Sequence, residues 1–181
     1  MGKAGGGVTL KIVFVCTGNT CRSPMAEFVL KNVLKKREVK GIKVSSAGIS
    51  AINGDKINEK AATALKKRGI TVRKFSSAKI TAETVKSQNA VVCMTSEQKH
   101  FFRGFGNVYC VSELTGFGDI PDPFGKSQEV YDKTLDVIIL SCEKIAELLI
   151  SENERINFEK EQKRKLKAEK QALKNNKNLN D

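Results

Sequence analysis

Short apolar runs alternate along the chain with longer segments in which apolar residues recur at helical spacing. The run at 8–15 (VTLKIVFV) is mostly β-branched and apolar, which predicts a buried strand. The segment after it predicts a helix with Ser23 as its N-cap and Pro24 in its first turn. The same patterns predict further strands at 42–48, 89–95 and 107–113, and helices at 59–69, 81–87, 96–104 and 129–150.

This alternation of strands and helices indicates an α/β fold. The strands are apolar on both faces, which is typical of a parallel sheet covered by helices on each side. We therefore expect a single three-layer domain. Ligands of such folds bind at the carboxyl ends of the strands, and residues 15–24 (VCTGNTCRSP) directly follow the first predicted strand.

The distribution of polar and charged residues divides the chain into three parts. Residues 1–8 predict a flexible leader, residues 9–152 the folded domain, and residues 153–181 a basic tail that is helical or disordered. From Arg155 onward the tail has nine Lys/Arg and four Asp/Glu, a large share of the net charge of +12. A basic surface favours anionic partners, but the tail has one aromatic residue, Phe158, and no groove-reading motif, so nucleic acid is not an expected partner.

Composition narrows the class of protein further. The chain of 181 residues is 40% hydrophobic, enough for a core, but has no run of about 18 apolar residues that would predict a membrane span. The five cysteines form no CxxC pair and His100 is the only histidine, so no metal site is expected. No export signal is recognised, so we expect a cytoplasmic protein with free thiols. These features leave the oligomeric state open.

The segment between the first strand and its helix fits the pattern C-x5-R-S, from Cys16 to Ser23. Backbone N–H groups and the helix dipole at such a position favour an anion such as phosphate. Arg22 is placed to bind two of its oxygens, Gly18 allows close approach of the backbone, and Asn19 tolerates a left-handed turn. We therefore expect a phosphate-binding loop made of Thr17, Gly18, Asn19, Thr20, Cys21, Arg22 and Ser23.

Cys16 is expected to be a nucleophile at the floor of this loop. The field that binds phosphate also stabilises a thiolate, and the Ser23 hydroxyl is placed to donate to the sulfur. Attack on phosphorus gives a cysteinyl phosphate, which water hydrolyses in a second step. The leaving group needs an acid, and the loop DIPDPFG offers Asp119 and Asp122, between which the spacing alone does not choose.

Several segments together resemble the low-molecular-weight protein-tyrosine-phosphatase family. FVCTGNTCRSPMAE resembles its signature, DPFG its acid loop, and SSAG and VVCMT its core strands, all within residues 11–150. The resemblance implies a four-stranded parallel sheet of flavodoxin-like type, phosphorylated protein substrates, inorganic phosphate as product, and no metal or cofactor. It implies Cys16 as nucleophile, Arg22 as phosphate clamp and Asp122 as general acid, and it makes Asp119 an ordinary loop carboxylate.

The resemblance also assigns supporting roles around the loop. It implies that Asn19, Ser23 and Ser46 hold the loop in shape. It implies a reversible disulfide between Cys21 and Cys16, which shields the nucleophile from over-oxidation.

Two positions resemble the protein-arginine-phosphatase branch of the family. Thr20 stands where many members have a large aliphatic residue, and Phe124 where many have tyrosine. The smaller Thr20 leaves room beside a guanidinium, and Phe124 forms an apolar or cation–π wall. These features favour phosphoarginine slightly over phosphotyrosine. Lys74 is a departure, since it lies near the place where the family often has a histidine bonded to the loop asparagine.

Two alternatives remain beside hydrolysis. An arsenate reductase on the same fold would relay oxidation through further thiols, whereas Cys93 and Cys110 lie in apolar strands and are interpreted as core residues. A non-catalytic module that binds phosphorylated proteins would keep only the loop. The joint presence of Cys16, Arg22 and Asp122 argues against a module without activity.

Overall fold

The computed structural model describes residues 9–177, so the predicted leader at 1–8 lies outside the described residues. Four strands are present: β1 (Leu10–Cys16), β2 (Ile42–Gly48), β3 (Ala90–Cys93) and β4 (Val108–Cys110). Six α-helices accompany them: α1 (Arg22–Lys36), α2 (Glu59–Lys67), α3 (Ala82–Ser87), α4 (Ser96–Lys99), α5 (Val111–Thr115) and α6 (Gln128–Lys177).

The strands form one parallel sheet in the order β2-β1-β3-β4. Cys16 at the end of β1 is paired with Gly48 of β2, and Val15 is paired with Cys93 of β3. The carboxyl ends of the three strands therefore meet at one edge of the sheet. The predicted α/β fold with a four-stranded parallel sheet is confirmed.

The central strand β1 is buried on both faces. Ile12 and Phe14 belong to the core cluster that includes residues of α1 and α6, whereas Val13 and Val15 pack on the other face with Val85 of α3. Full burial of such a side chain stabilises the fold by about 1.5 to 3 kcal/mol. This double burial explains why the strand has no polar face in its sequence.

The start of α1 differs from the prediction. The helix begins at Arg22 after Cys21, and no side chain caps its N-terminus. The prediction of Ser23 as N-cap was therefore wrong. Its hydroxyl lies inside the first turn, within hydrogen-bond distance of Cys16 Sγ and of the Ala47 carbonyl. The hydroxyl therefore contacts groups of β1 and β2 and does not cap the N–H groups of its own helix.

The predicted strand at 107–113 is also shorter in the structure, because β4 ends at Cys110 and α5 begins at once. The carboxylate of Glu113 accepts a hydrogen bond of 2.9 Å from the backbone N–H of Cys110. This capping hydrogen bond satisfies an N–H that would pair with a neighbouring strand if β4 were longer.

The last helix, α6, starts near the site edge of the sheet and runs for 50 residues, or about 75 Å at 1.5 Å per residue. Its first half packs on the core through a stripe of apolar residues, of which Leu135, Ile138, Cys142 and Ile145 are buried. Among residues 9–171, Asn153 is the last buried one, and its side chain donates to the Lys40 carbonyl. The predicted helical tail is present as a direct continuation of this helix. None of the described helices is both long enough and apolar enough to cross a bilayer.

Candidate active site

The loop between β1 and α1 wraps around the sulfur of Cys16. Asn19 adopts a left-handed conformation with φ of 54°, which turns its backbone N–H toward that sulfur at 3.3 Å. The Ser23 hydroxyl lies 3.0 Å from the same sulfur. Two polar groups therefore converge on Sγ at the carboxyl end of the central strand.

The side chain of Asn19 holds the loop against the sheet. It is completely buried, and its Nδ2 donates to the hydroxyls of Ser23 and Ser46, each at 2.9 Å. Its Oδ1 accepts from the backbone N–H of Ala78 at 2.9 Å, and Ser46 in turn donates to Glu27 at 2.6 Å. The network thus joins the three polar residues named from the sequence.

Two members of this network, Ala78 and Glu27, were not predicted from the sequence. The Ala78 partner is a backbone group, which carries no sequence signal. Glu27 is the last residue of the segment FVCTGNTCRSPMAE and is nine-tenths buried in α1, so a carboxylate on the buried face of the helix was the one signal available. Lys74, where a histidine partner was considered, is not among the hydrogen-bond partners of Asn19.

Gly48 allows β2 to approach the loop closely. A Cβ atom at this position would lie 2.6 Å from the Thr17 carbonyl oxygen and 2.8 Å from the Asn19 N atom. Such contacts are shorter than van der Waals packing permits. The glycine of SSAG therefore sets the position of the loop backbone.

Arg22 lies on one wall of the cavity above Cys16. It is 5% exposed, its Nη2 donates to Asp122 Oδ2 at 2.6 Å, and its Nη1 donates to the Ile120 carbonyl at 3.3 Å. Its Nε has no partner among the described residues. A buried N–H without an acceptor is costly, so the guanidinium retains a donor for a ligand oxygen.

The cavity has a volume of about 220 Å³. Thr20 and Cys21 lie on its loop side, and Phe124 forms an outer wall with a side chain that is 69% exposed. The walls are the residues predicted for the phosphate-binding loop, except the buried Asn19 and Ser23, together with Asp122 and Phe124. A small tetrahedral anion with one attached side chain fits this shape.

The two candidate acids occupy different environments. Asp122 lines the Cys16 cavity, whereas Asp119 does not. Burial alone would raise the pKa of Asp119, but hydrogen bonds from the Ser96 N–H and from the hydroxyls of Ser112 and Ser96 outweigh it and hold that pKa below its ordinary value. A carboxyl that loses its proton so easily is a poor acid, so the geometry favours Asp122.

Cys21 is the second thiol at the site, and it contacts Tyr131 of α6. The two side-chain heteroatoms are 3.3 Å apart, and both residues are buried. Burial raises the pKa of the Cys21 thiol above its usual value, although the hydrogen bond from Tyr131 opposes this. Cys21 is thus held as a thiol in the same cavity wall as Cys16, and all five cysteines are free in the structure.

The remaining cysteines and His100 lie away from the cavity. Cys93, Cys110 and Cys142 are buried in strands or in α6, and burial raises the pKa of Cys93 to about 12. His100 is exposed, and its ring contacts the Ser96 carbonyl of the preceding helix α4. Of the cysteines, Cys16 and Cys21 line the cavity among the described residues.

Comparisons with known proteins agree with this geometry. The family model for low molecular weight phosphotyrosine protein phosphatase matches residues 11–159. A protein-arginine-phosphatase of Bacillus subtilis is 40% identical over 134 residues, which are 70% of this chain and 88% of that protein. A low molecular weight protein-tyrosine-phosphatase, Ptp, of Acinetobacter johnsonii is 32% identical over 136 residues, 72% of this chain and 91% of that protein.

A solved structure is similar over the same region. It is a mutant of the YwlE arginine phosphatase with a phosphorylated active site serine, with a TM-score of 0.72 and 35% identity over 77% of this chain and 95% of that one. The sequence similarity, the fold and the loop around Cys16 are thus all consistent with one family. The chain therefore belongs to the low molecular weight phosphotyrosine protein phosphatase family.

Proposed function

We propose that this protein removes phosphoryl groups from protein side chains through a cysteinyl phosphate on Cys16. The observation that carries the proposal is the buried, unpartnered Nε of Arg22 in the wall of a cavity whose floor is Cys16 Sγ. An anion is needed to satisfy that donor, and the thiolate lies beneath it. A related mutant enzyme with a phosphorylated active site serine supports phosphoryl transfer at the equivalent position of the fold.

The first step uses Asp122 as the acid. The ion pair between Arg22 and Asp122 occupies the clamp in the free protein, so an incoming phosphate dianion competes for the guanidinium. Sulfur then attacks phosphorus, the bond from phosphorus to the substrate's oxygen or nitrogen breaks, and Asp122 gives its proton to the departing atom.

The second step regenerates the enzyme. Water attacks the phosphorus of the cysteinyl phosphate, Asp122 takes a proton from that water, and the S–P bond breaks to release inorganic phosphate. The Asn19 N–H and the Ser23 hydroxyl stabilise the thiolate that departs. The chemistry requires no metal or cofactor.

The substrate class rests on Thr20 and Phe124. Thr20 has a short polar side chain at the cavity, which leaves space for the branched guanidine of phosphoarginine, and Phe124 offers a face on which it stacks. The relative at 40% identity is named a protein-arginine-phosphatase, whereas others are named protein-tyrosine-phosphatases. We therefore favour phosphoarginine slightly over phosphotyrosine, in a cytoplasmic setting.

Burial of the other thiols supports hydrolysis over arsenate reduction. A reductase relay needs further thiols that reach the nucleophile, but Cys93, Cys110 and Cys142 are buried in core elements. The acid and clamp around Cys16 also support catalysis over simple binding of phosphorylated proteins. No specific observation favours either arsenate reduction or simple binding of phosphorylated proteins.

Replacement of Cys16 tests the proposal. We expect Cys16→Ser to lose at least about a thousandfold in kcat on p-nitrophenyl phosphate while it still binds inorganic phosphate. The wild-type enzyme should release one equivalent of nitrophenol per site in a rapid burst. Retained turnover in the variant would refute the assigned nucleophile, and lost phosphate binding would refute the assigned cradle.

The acid role of Asp122 has its own signature. We expect Asp122→Asn to slow hydrolysis most for aryl phosphates whose leaving phenol has a high pKa, because these need protonation most. The measurement is the slope of log kcat against leaving-group pKa for both enzymes. An equal loss on all the phosphates would contradict the role.

A further inference from the structure

A second cleft opens beside the Cys16 cavity. It has a volume of about 480 Å³, and it shares Thr17, Arg22 and Asp122 with the cavity, so the two spaces adjoin at the clamp. Its outer walls come from the loop after β2, the acid loop, and α4 with the short 3-10 turn that follows it. A ligand anchored at Arg22 therefore lies next to this cleft, on the other side of the Arg22–Asp122 ion pair.

Gln98 at the base of the cleft is a buried polar side chain with an unused acceptor. The residue is 6% exposed, and its Nε2 donates to Thr17 Oγ1 at 3.1 Å. Its Oε1 has no hydrogen-bond partner among the described residues. Since buried acceptors are normally satisfied, this oxygen points to a donor supplied by a ligand. A backbone N–H of a bound peptide provides such a donor.

The charge of the cleft is opposite to that of the whole protein. Glu97, Asp119 and Asp122 contribute carboxylates to the lining, and Arg22 is its only cation among the described residues. Asp122 forms an ion pair with Arg22, and Asp119 accepts hydrogen bonds from the hydroxyls of two serines. Glu97 has no ion pair within the described part of the chain. In a chain of net charge +12, this is a local acidic site.

Apolar surface lies beside these carboxylates. Phe101 is 67% exposed on the cleft, and Ile49 faces it from the loop after β2. An exposed phenylalanine next to a free carboxylate suits a long side chain with an apolar stem and a cationic head. Lysine and arginine have this construction.

We propose that this cleft binds the polypeptide segment next to the phosphorylated residue and selects a lysine or arginine there. Gln98 Oε1 accepts from a backbone N–H of that segment, Phe101 and Ile49 pack on the side-chain stem, and Glu97 pairs with the cationic head. The inference rests on the proposed function, because it assumes that a phosphorylated protein occupies the Cys16 cavity.

Charge reversal at Glu97 is the test. Two sets of phosphopeptides are compared, one with phosphoarginine and one with phosphotyrosine. In each set, either Arg or Glu stands at the position before or at the position after the phosphorylated residue. We expect the wild-type kcat/KM to be about threefold to fivefold higher with Arg than with Glu at one of these two positions. Glu97→Lys should reverse that preference, and Glu154→Lys, an exposed carboxylate outside the cleft, should leave it as in the wild type. Equal rates for the wild type on both peptides, or a preference that Glu97→Lys leaves unaltered, would overturn the proposal.

The apolar wall is tested by a ratio. We expect Phe101→Ala to lower the kcat/KM on Arg-flanked phosphopeptide relative to that on p-nitrophenyl phosphate by about fivefold, because only the peptide reaches the cleft. Phe117→Ala, which removes an exposed phenylalanine that does not line the cleft, should keep the wild-type ratio. A ratio that stays constant in Phe101→Ala would contradict the proposed contact.

Failure of the proposed function has a separate signature. If no phosphate ester or phosphoarginine is hydrolysed, the affinity of the Cys16→Ser protein for the same peptides becomes the measurement. An Arg preference that Glu97→Lys reverses in binding would support the cleft alone. Binding without such a preference would reject it.

Discussion

At the scale of single residues, all five cysteines are buried, so the polar groups around each sulfur distinguish them. Cys16 Sγ lies within hydrogen-bond distance of the Asn19 N–H and of the Ser23 hydroxyl. Burial raises the pKa of the Cys93 and Cys142 thiols, to about 12 for Cys93. Cys16 is thus the proposed nucleophile, whereas Cys93 and Cys142 pack as apolar side chains.

This difference predicts selective alkylation. With iodoacetate at pH 7, we expect Cys16 to react at least tenfold faster than Cys93 or Cys142, because Cys16 lines a cavity, whereas burial raises the pKa of the other two thiols and only a thiolate reacts. Peptide mass spectrometry after timed quenching measures the rates, and inorganic phosphate should protect Cys16. Equal labelling of the native cysteines, or no protection by phosphate, would contradict the assigned site.

A second prediction at this scale concerns Thr20. We expect Thr20→Ile to lower the ratio of kcat/KM on phosphoarginine peptide to that on phosphotyrosine peptide by about tenfold, because the larger apolar side chain crowds a branched guanidine and suits a flat ring. Both rate constants are measured on each protein, so changes in stability cancel in the ratio. An unchanged ratio would show that Thr20 does not select the substrate.

At the scale of elements, the loop that carries Asp122 is fixed to two neighbouring helices. Asp119 joins the acid loop to α4 through the Ser96 N–H at 2.8 Å, and to α5 through the Ser112 hydroxyl at 2.8 Å. These bonds fix one end of the loop that carries Asp122. The carboxylate described from the sequence as ordinary thus lies at the junction of three elements.

Neutralising Asp119 should loosen the acid loop. We expect Asp119→Asn to lower the free energy of unfolding by about 1 kcal/mol, since the exposed position discounts charge-assisted bonds, and to lower kcat on poor leaving groups severalfold. Because the folded-state pKa is lowered, the stabilisation is present above pH 4 and is lost only as the pH falls further. The two proteins should therefore converge in stability below pH 4.

Urea titrations at several pH values measure this difference. Asp55→Asn changes an exposed carboxylate elsewhere and serves as the matched control. A difference between wild type and Asp119→Asn that persists unchanged well below pH 4 would show that the carboxylate's charge is not the cause.

The contact between β2 and the loop gives another prediction. We expect Gly48→Ala to cost about 1 to 3 kcal/mol of stability and to lower kcat at least tenfold, because the added Cβ displaces the Thr17 carbonyl or the Asn19 N–H. Gly106→Ala is the control, since a Cβ there meets no atom within 4 Å. If Gly48→Ala retains full activity, the close approach of β2 does not position the loop.

At the scale of the whole molecule, the long helix α6 unites a core half and an exposed half. The predicted boundary between residues 152 and 153 falls inside this helix, directly before the buried Asn153. No break in the secondary structure therefore marks the boundary. From Glu154 to Gln171 only Ile156 is partly buried. The boundary between the folded domain and the tail stays a prediction, which truncation tests.

We expect removal of residues 155–181 to leave kcat on p-nitrophenyl phosphate within about twofold, and the free energy of unfolding within about 1 kcal/mol, because the lost side chains leave no cavity in the core. A parallel truncation after Lys144, which also removes the buried Ile145, should be strongly destabilised. Loss of activity in the first truncation would assign the tail a part in the domain.

The sequence by itself determined the alternation of strands and helices, the fold class and the residues that make up the loop around Cys16. Cys16, Arg22 and Ser23 lie within eight consecutive residues between a strand and a helix, so local structure is enough to bring them together. The apolar strands likewise predicted a sheet covered on both faces, because burial leaves its pattern in each segment.

Only the tertiary structure decided which distant groups join them. It placed Asp122, 100 residues along the chain, on Arg22, and gave Asp119 to two serines instead. It also supplied the Ala78 backbone N–H to Asn19, and left the Oε1 of Gln98 unpaired beside the clamp. Such pairings follow from how layers pack over a sheet, which no local pattern of polar and apolar residues encodes.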